Sequence, residues 1–600
     1  MAYPPIDSYA FLSDTHTAAL IAADGAVEWL CVPHFAGDAV LARLLDRRNG
    51  GVLDLTVAGC AEPSRRYVPG TLVLESRYET AEATAVVHDF LAVRPGDTAR
   101  PLHAEKTLVR RVAVERGTIR LGIEVRPRIG YGATTVSWAG GDGRWWAADT
   151  PLRVDCALPG EVVDGTLRFS AELSAGQTTA LLLGYGDDPA EPADPADLLR
   201  RTCQTWETWT RRTDYHGFGA DTVRHSALVL RGLSFDETGA LIAAPTTSLP
   251  EEIGGVRNWD YRHVWHRDAA LLLLALFRLG HAEEGRRYLR FLMSVCSGDL
   301  LTPLVGIHGT TAREQELPHL EGYAGSRPVR VGNEAAEQVQ FDTYGHVLDA
   351  ALAYHQLTGE LTEEQWALLR RHVDVMADRW HEPDHGTWEI RGPRRHYVHA
   401  KVMTWVCLDR GIRLAELLGD SSAADVERWR LARDTVHAEV LERGFDPQVG
   451  SFVMEYGSTE LDASLLRIPL VGFLPGDDPR MLATIDRVRA GLEIGPGLLR
   501  RYRADDGLPG TEGAFLLCSF ELVSALVLAG RRDEAHEVFA RLLAYAGPLG
   551  LYSEELGADG TALGNYPQAF THLALIEAAL NLDGASNRDA LHAWASRGGP

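Results

Sequence analysis

Lysine is almost missing from this chain. Lys106 and Lys401 are the only two, so basic charge is carried by arginine. Cysteine is sparse too: Cys31, Cys60, Cys156, Cys203, Cys296, Cys407 and Cys518 are scattered, odd in number and without a CxxC pair. That pattern argues against a disulfide framework and fits free thiols in a reducing cytoplasm. No run of about 18 apolar residues occurs, so no membrane span is expected. The opening MAYPPIDSYAFLSD lacks a basic stretch and an apolar core, so no export signal is expected. Positive charge is in deficit, with a formal net charge of −24, which disfavours a nucleic-acid partner. The Walker loop and the GxSxG elbow are absent as well. The expected partner is therefore a neutral small molecule, with neither nucleic acid nor membrane involved.

What is present is an ordinary globular balance, 45% hydrophobic and 24% charged over 600 residues. That length calls for two domains or one large toroid. The first third reads as strands: Thr71 to Thr80, Ala85 to Val93, Lys106 to Glu115, Thr118 to Arg126, Leu152 to Leu158 and Thr166 to Leu173 are rich in β-branched residues and partly alternate. Many short strands suggest an antiparallel β-sandwich. Near Pro189 to Pro195 the sequence becomes DDPAEPADPAD, which reads as a linker or a long surface loop. The division expected is a β-sandwich over 1–200, a linker over 201–220 and a helical domain over 221–600.

Beyond that point helical periods appear near 221–234, 267–280, 282–296, 334–357, 362–380, 397–418, 422–443, 478–492, 513–530, 532–545, 566–582 and 587–596. About twelve helices make six hairpins, enough to close an (α/α)6 toroid. Ala269 to Leu279 and Leu516 to Ala529 are apolar almost all round, as a buried inner ring requires. The count by itself does not separate a toroid from a bundle.

Four segments between helices mix aromatics, carboxylates, arginine and glycine, the chemistry of a sugar site. Arg257 to Asp268 (RNWDYRHVWHRD) carries Trp259, Tyr261, Trp265, Arg267 and Asp268 before an apolar helix. There Asp268 is suited to receive two sugar hydroxyls with Arg267 holding it, although acidic capping of a helix explains it equally. His319 to Asn333 (HLEGYAGSRPVRVGN) reads as a pocket-lining or a solvated loop. Thr387 to Gly392 (TWEIRG) and Leu551 to Leu556 (LYSEEL) each set a carboxylate beside an aromatic ahead of a helix. Glycoside hydrolysis needs two carboxyls, one protonated for the leaving oxygen and one ionised to activate water. With 83 acidic residues in the chain, neither segment is specific by itself.

Taken together and in order, these segments resemble glycoside hydrolase family 15, whose members include glucoamylases, glucodextranases and bacterial trehalases. The likeness begins at IDSYAFLSDTHTAALIAADGAVEWL, continues through the four segments and HYVHAKVMTWVCLDR, and includes RRYRADDGLPGTEGAFLLCSF and SEELGADGTALGNYPQAF. It implies a β-sandwich joined to an (α/α)6 barrel and an inverting mechanism. It further implies Glu389 as general acid and Glu554 as general base, with Glu555 the alternative. Trp265, Arg267 and Asp268 are implied to hold the nonreducing sugar. Arg501 and Tyr502 match the fifth motif, and Arg330, Trp388, Lys401, Glu512 and Glu555 complete the expected binding set. Burial beside Trp388 is expected to keep Glu389 protonated, while Glu554 stays ionised.

Three residues depart from the family pattern: His266, His399 and Glu521. They leave the acid and base in place and bear on substrate preference. The function expected is release of glucose from a small α-glucoside, α,α-trehalose first, with α-1,4 or α-1,6 gluco-oligosaccharides as the alternative. A phosphorylase and an inactive sugar-binding protein remain weaker readings. No cofactor and no metal are expected, a phosphate or magnesium requirement is not readable, and a homo-oligomer is compatible with the sequence.

Overall fold

The computed structural model describes residues 2–60, 62–96, 102–186, 193–298, 300–311, 313–420 and 423–584. Two eight-stranded antiparallel sheets form its first part. One runs Ala10–Ser13, Ala18–Ile21, Val27–Val32, Val52–Val57, Thr118–Arg126, Thr166–Ser174 and Gly160–Val163, with Asp38–Leu41 also paired on Val27–Val32. The other runs Trp138–Gly141, Arg144–Ala147, Leu152–Cys156, Thr178–Tyr185, Leu102–Arg116, Thr84–Pro95, Leu74–Glu79 and Ser64–Tyr67. The sheets pack face to face. Ile119, Leu121, Ile123 and Val125 point inward while Thr118, Arg120 and Glu124 stay exposed, the alternation of a half-buried strand.

The strands before residue 33 behave differently, because both of their faces are buried. Ala10, Leu12, Ala19 and Ile21 join the core between the sheets. Phe11, Leu20 and Trp29 point the other way, into one continuous core with the helical domain. Such doubly buried strands are apolar throughout, so they carry little period-two signal.

A first helix, α1 (Pro195–Thr210), occupies much of the stretch expected as a linker. Its start uses the same residues that look like linker composition. Asp194 accepts a hydrogen bond from the Ala196 N–H, and Pro195 sits in the first turn, where its missing N–H leaves no bond unmade. Leu198, Trp206 and Trp209 bury its inner face, and it packs on Thr84–Pro95. The expectation of a linker over 201–220 is therefore corrected for 201–210, which are helical.

Eleven more helices follow among the described residues: α2 (Ala220–Leu233), α3 (Ala269–Arg278), α4 (Ala282–Val295), α5 (Asp342–Thr358), α6 (Glu363–Arg379), α7 (Val398–Leu418), α8 (Ala423–Glu439), α9 (Pro479–Leu492), α10 (Leu516–Leu528), α11 (Arg532–Leu543) and α12 (Ala569–Gly584). The segment expected near 587–596 lies outside the described residues. Boundaries follow local chemistry. Thr362 and Gln365 make a reciprocal capping box at α6, and Gly359 and Gly419 end α5 and α7 in the left-handed conformation.

Contacts close a ring. α3 packs on α5, α5 on α7, α7 on the 3-10 turn Ala463–Arg467, that turn on α10, α10 on α12, and α12 back on α3. Outside them α4 covers α3, α6 and α8 cover α7, α9 covers the turn, α11 covers α10 and α2 covers α12. This is the (α/α)6 toroid, with a short 3-10 turn as one of its six inner members. The inner helices α7 and α10 are buried along nearly their whole length, in line with their apolar sequences.

Hydrogen bonds stitch the two parts together. Trp29 Nε1 donates to the Pro245 carbonyl at 2.7 Å, the Tyr566 hydroxyl to the Tyr9 carbonyl at 3.1 Å, and Arg262 to the Gly37 carbonyl at 2.9 Å. All seven cysteines are free thiols. No helix among the described residues is long and apolar enough to cross a membrane.

Candidate active site

In a ring of helical hairpins the inner helices run parallel, so the loops ahead of them emerge at one end. The loops before α3, α5, α7, α10 and α12 contain the segments singled out from the sequence. They enclose a pocket lined mostly by polar and aromatic side chains. Its wall includes Glu251, Arg257, Trp259, Tyr261, Trp388, Glu389, Arg501, Tyr502 and Glu512. The positive ends of the inner helices face this region and favour carboxylates there.

Glu389 reaches the pocket from a backbone with φ 61°, in the left-handed region. A side chain bears that conformation at the expense of about 1–3 kcal/mol, and it persists only where neighbours fix it. Here the Glu389 N–H donates to the Gly386 carbonyl and the Gln338 amide donates to the Glu389 carbonyl at 3.1 Å. The carboxylate accepts from Trp265 Nε1 at 2.6 Å and from Arg267 at 3.1 Å. Two expectations are corrected. The indole that touches the acid is Trp265, whereas Trp388 turns its N–H to Asp462 at 2.8 Å. Arg267 holds Glu389 and the Thr387 carbonyl, not Asp268.

Glu554 is fully buried. Its Oε2 accepts the Asn565 N–H at 3.0 Å, and the Tyr261 hydroxyl also hydrogen-bonds its carboxylate. Its Oε1 is buried with no partner. Gly564, at φ +71°, leaves the room this carboxylate needs, since a Cβ there would lie 2.4 Å from Oε2. The Tyr261 ring packs edge-on against Trp265, with centroids 5.1 Å apart. A continuous chain of contacts therefore runs Glu554, Tyr261, Trp265, Glu389. Two aromatic side chains hold the carboxyls near one another and apart.

Burial pushes Glu554 up to about 7, opposed by Tyr261, Arg501 and the Asn565 N–H. Glu555 is pushed up to about 8 by burial and by Glu512. Its one strong donor is the Gly513 N–H at 2.8 Å, with Arg501 at 3.7 Å. Both are fully buried, and Glu554, with the Tyr261 hydroxyl and the Asn565 N–H as donors against the single Gly513 N–H of Glu555, is the carboxyl whose charge is better supported. Glu554 thus lies near neutrality, above the ordinary carboxylate range.

Arg501 bridges the wall. Its Nε donates to Glu512 at 3.0 Å, and Nη2 lies 2.7 Å from Glu512 and 3.4 Å from Glu251. The Tyr502 hydroxyl donates to Asp506 at 2.9 Å. Oxygens of Glu251, Glu512 and Glu555 lie within 4.8 Å of one another. Such a triad has the look of a metal site, but Arg257 and Arg501 already bind Glu512 and supply positive charge there.

Other expected binding residues stand off the pocket wall. Asp268 is buried beneath it, pushed up to about 8 by burial, with one carboxyl oxygen lacking a partner. Arg330 lies behind, its guanidinium 4.6 Å from the centre of the Trp259 ring, donating to the Val256 and Asn258 carbonyls. It braces the wall. Lys401 is corrected outright. Its ammonium donates to the Trp380 and Glu382 carbonyls at 2.5 and 2.7 Å, capping the C-terminal end of α6 away from the pocket. His266, His399 and Glu521 are all buried outside the lining. Glu521 pairs with Arg467, and the two histidines are held neutral by burial, down to about 4 and about 3. Their departures from the pattern change the scaffold under the site rather than its wall.

Sequence reasoning missed Glu251 and Asp506 and gave Arg257 no role. Asp506 and Arg257 lie within quoted segments, so an unpaired arginine and carboxylate there were the available signal. Glu251, in a proline-rich turn, gave none.

The family described as glycosyl hydrolases family 15 matches residues 220–580, and a trehalase-like N-terminal domain matches residues 1–153. A trehalase of Mycolicibacterium smegmatis is 39% identical over 616 residues, covering 97% of this chain and 91% of its own. One from Thermoplasma volcanium is 33% identical, covering 97% and 94%. Trehalase 1 of Sulfolobus acidocaldarius is 31% identical, covering 96% and 98%. Among solved structures, a bacterial glucoamylase complexed with acarbose shares the fold with a TM-score of 0.71 at 13% identity, covering 99% of this chain and 96% of that one.

Proposed function

The chain belongs to glycosyl hydrolase family 15 and is a glycoside hydrolase, and from that premise we propose that it hydrolyses α,α-trehalose with inversion. The observation that carries the reading is the Glu554–Tyr261–Trp265–Glu389 contact chain. Glu389 protonates the glycosidic oxygen. The unpartnered Oε1 of Glu554 takes a proton from a water on the opposite face of the sugar. That water bonds to C1 as the C1–O bond breaks, and its proton stays on Glu554. Inversion needs carboxyls roughly 6.5–9.5 Å apart to admit the water. Arg501, Tyr502, Trp388 and Glu512 bind sugar, and Asp268 lies buried beneath the wall. The two carboxyls supply both proton transfers, so no cofactor enters the mechanism, and the free thiols agree with action in the cytoplasm.

Trehalose is favoured over glucans by relatives that match over nearly the whole chain and bear the name trehalase. The glucoamylase likeness rests on fold alone.

Proton NMR of fresh product tests the stereochemistry. Inversion of trehalose gives one β-glucose from the attacked unit and one α-glucose from the departing unit. Two α-glucoses at first release mean retention and overturn the mechanism. Glu389→Gln should lose about 10²–10⁴-fold on trehalose and much less on α-glucosyl fluoride, whose leaving group needs no proton. Glu554→Gln should lose on both.

A further inference from the structure

We infer that the side-chain amides of Gln340 and Gln338 form a relay that positions Glu389 for proton transfer, so that Gln340, which lies off the pocket wall, governs departure of the leaving group. The inference deepens the hydrolase reading above and rests on it.

Glu389 stands in the left-handed region at φ 61°. A residue with a side chain relaxes out of that region unless its backbone is held, and its carboxyl moves when it does. Trp265 and Arg267 hold the carboxylate only. The turn bond from the Glu389 N–H to the Gly386 carbonyl fixes one side of the backbone. The other side is the Glu389 carbonyl, and Gln338 Nε2 donates to it at 3.1 Å.

A backbone carbonyl can only accept, so it dictates which way the Gln338 amide points. With its nitrogen turned to Glu389, Gln338 presents Oε1 on its other side. There Gln340 Nε2 donates to it at 2.9 Å. Each amide thus orients the next, and hydrogen bonds in a chain strengthen one another. Gln340 is only 2% exposed, so packing fixes the far end of the relay.

The sequence places the two amides together. Gln338 to Phe341 links the 3-10 turn Glu334–Glu337 to α5. Gln338 is extended, with φ −78° and ψ 158°. Alternate side chains of an extended segment share a side, which sets Gln340 beside Gln338. Two further bonds tie this segment to the one that carries the acid. The His385 N–H donates to the Val339 carbonyl at 3.0 Å, and the Phe341 N–H donates to the buried Asp384 at 2.9 Å. The loop ahead of α5 is therefore the mould in which the Glu389 turn is set. Gln338 also lines the pocket, whereas Gln340 does not, so Gln340 isolates the positioning role.

The test is Gln340→Met, which keeps length and bulk and removes the donor. We expect kcat on trehalose to fall about 10- to 100-fold with KM unchanged, the scale of a catalytic group displaced by about 1 Å. With α-glucosyl fluoride, whose leaving group needs no proton, the fall should stay below about threefold. Gln338→Met should lower the same trehalose-to-fluoride ratio, and it decides the matter if Gln340→Met does not fold. The double variant should be no slower than the slower single one, because a relay broken once is already broken. Equal losses on the two substrates, no loss, a loss carried by KM, or losses that multiply in the double variant each overturn the inference. A wild-type chain that cleaves no trehalose overturns the substrate reading instead, and the same ratio taken with the α-glucoside it does cleave then judges the relay.

Discussion

Removing one hydroxyl, in Tyr261→Phe, should move the pH profile of this enzyme in a direction the structure dictates. Tyr261 is buried, and its hydroxyl hydrogen-bonds the Glu554 carboxylate, working against the burial that pushes Glu554 up to about 7. Phenylalanine keeps the ring and its contact with Trp265, so packing changes little. A hydrogen bond to a charged group is worth about 1.5–3 kcal/mol. At about 1.4 kcal/mol per pKa unit, its loss raises Glu554 by roughly one to two units. The base acts ionised, so a raised value leaves a smaller active fraction at every pH below it. The acid limb of kcat/KM, which reports the free enzyme, should shift from near 7 to about 8–9. At pH 6 the variant should be about 10- to 100-fold slower than the parent, and the gap should narrow as pH rises past the new limb. Stopped assays of trehalose hydrolysis from pH 5 to 10 measure this. An unmoved acid limb, or a loss of equal size at every pH, would refute the assignment of Glu554 as the base that Tyr261 supports.

Lys401→Met should destabilise the fold by about 1–3 kcal/mol, because two buried carbonyls at the end of α6 lose their donor. KM for trehalose should not change, and a raised KM at unchanged Tm would return Lys401 to the site. A chain that begins at residue 215 should be insoluble or inactive, since it strips Phe11, Leu20 and Trp29 from a core shared with the helices. Size-exclusion chromatography and activity check it, and a soluble, fully active barrel would show that the sandwich is dispensable.

The comparison of sequence with structure is instructive at particular residues. Helices α3 and α10 were legible because a buried inner helix is apolar on every side, a property of composition. The start of α1 was hidden because Asp194 and Pro195 are at once typical linker residues and a good N-terminal cap. The strands before residue 33 gave weak signals because each face meets a different core. One inner member of the ring, Ala463–Arg467, is a single 3-10 turn, too short for any helical period to register.

For the site the division is sharper. The sequence alone determined which loops gather at the pocket: the aromatic, acidic and arginine-rich segments ahead of inner helices, which include the proposed acid Glu389 and base Glu554. Residue type and order along the chain carry that information. Tertiary structure decided which groups meet. It gave Glu389 to Trp265 and Arg267, removed Lys401 to a helix end, and brought Glu251 beside Arg501. Ring closure joins loops that are far apart in sequence, and which donor reaches which carboxylate is set by distances of a few ångströms across that ring. Burial then moved Glu554 towards neutrality, because the energy of a charge depends on the solvent and partners around it rather than on its neighbours along the chain.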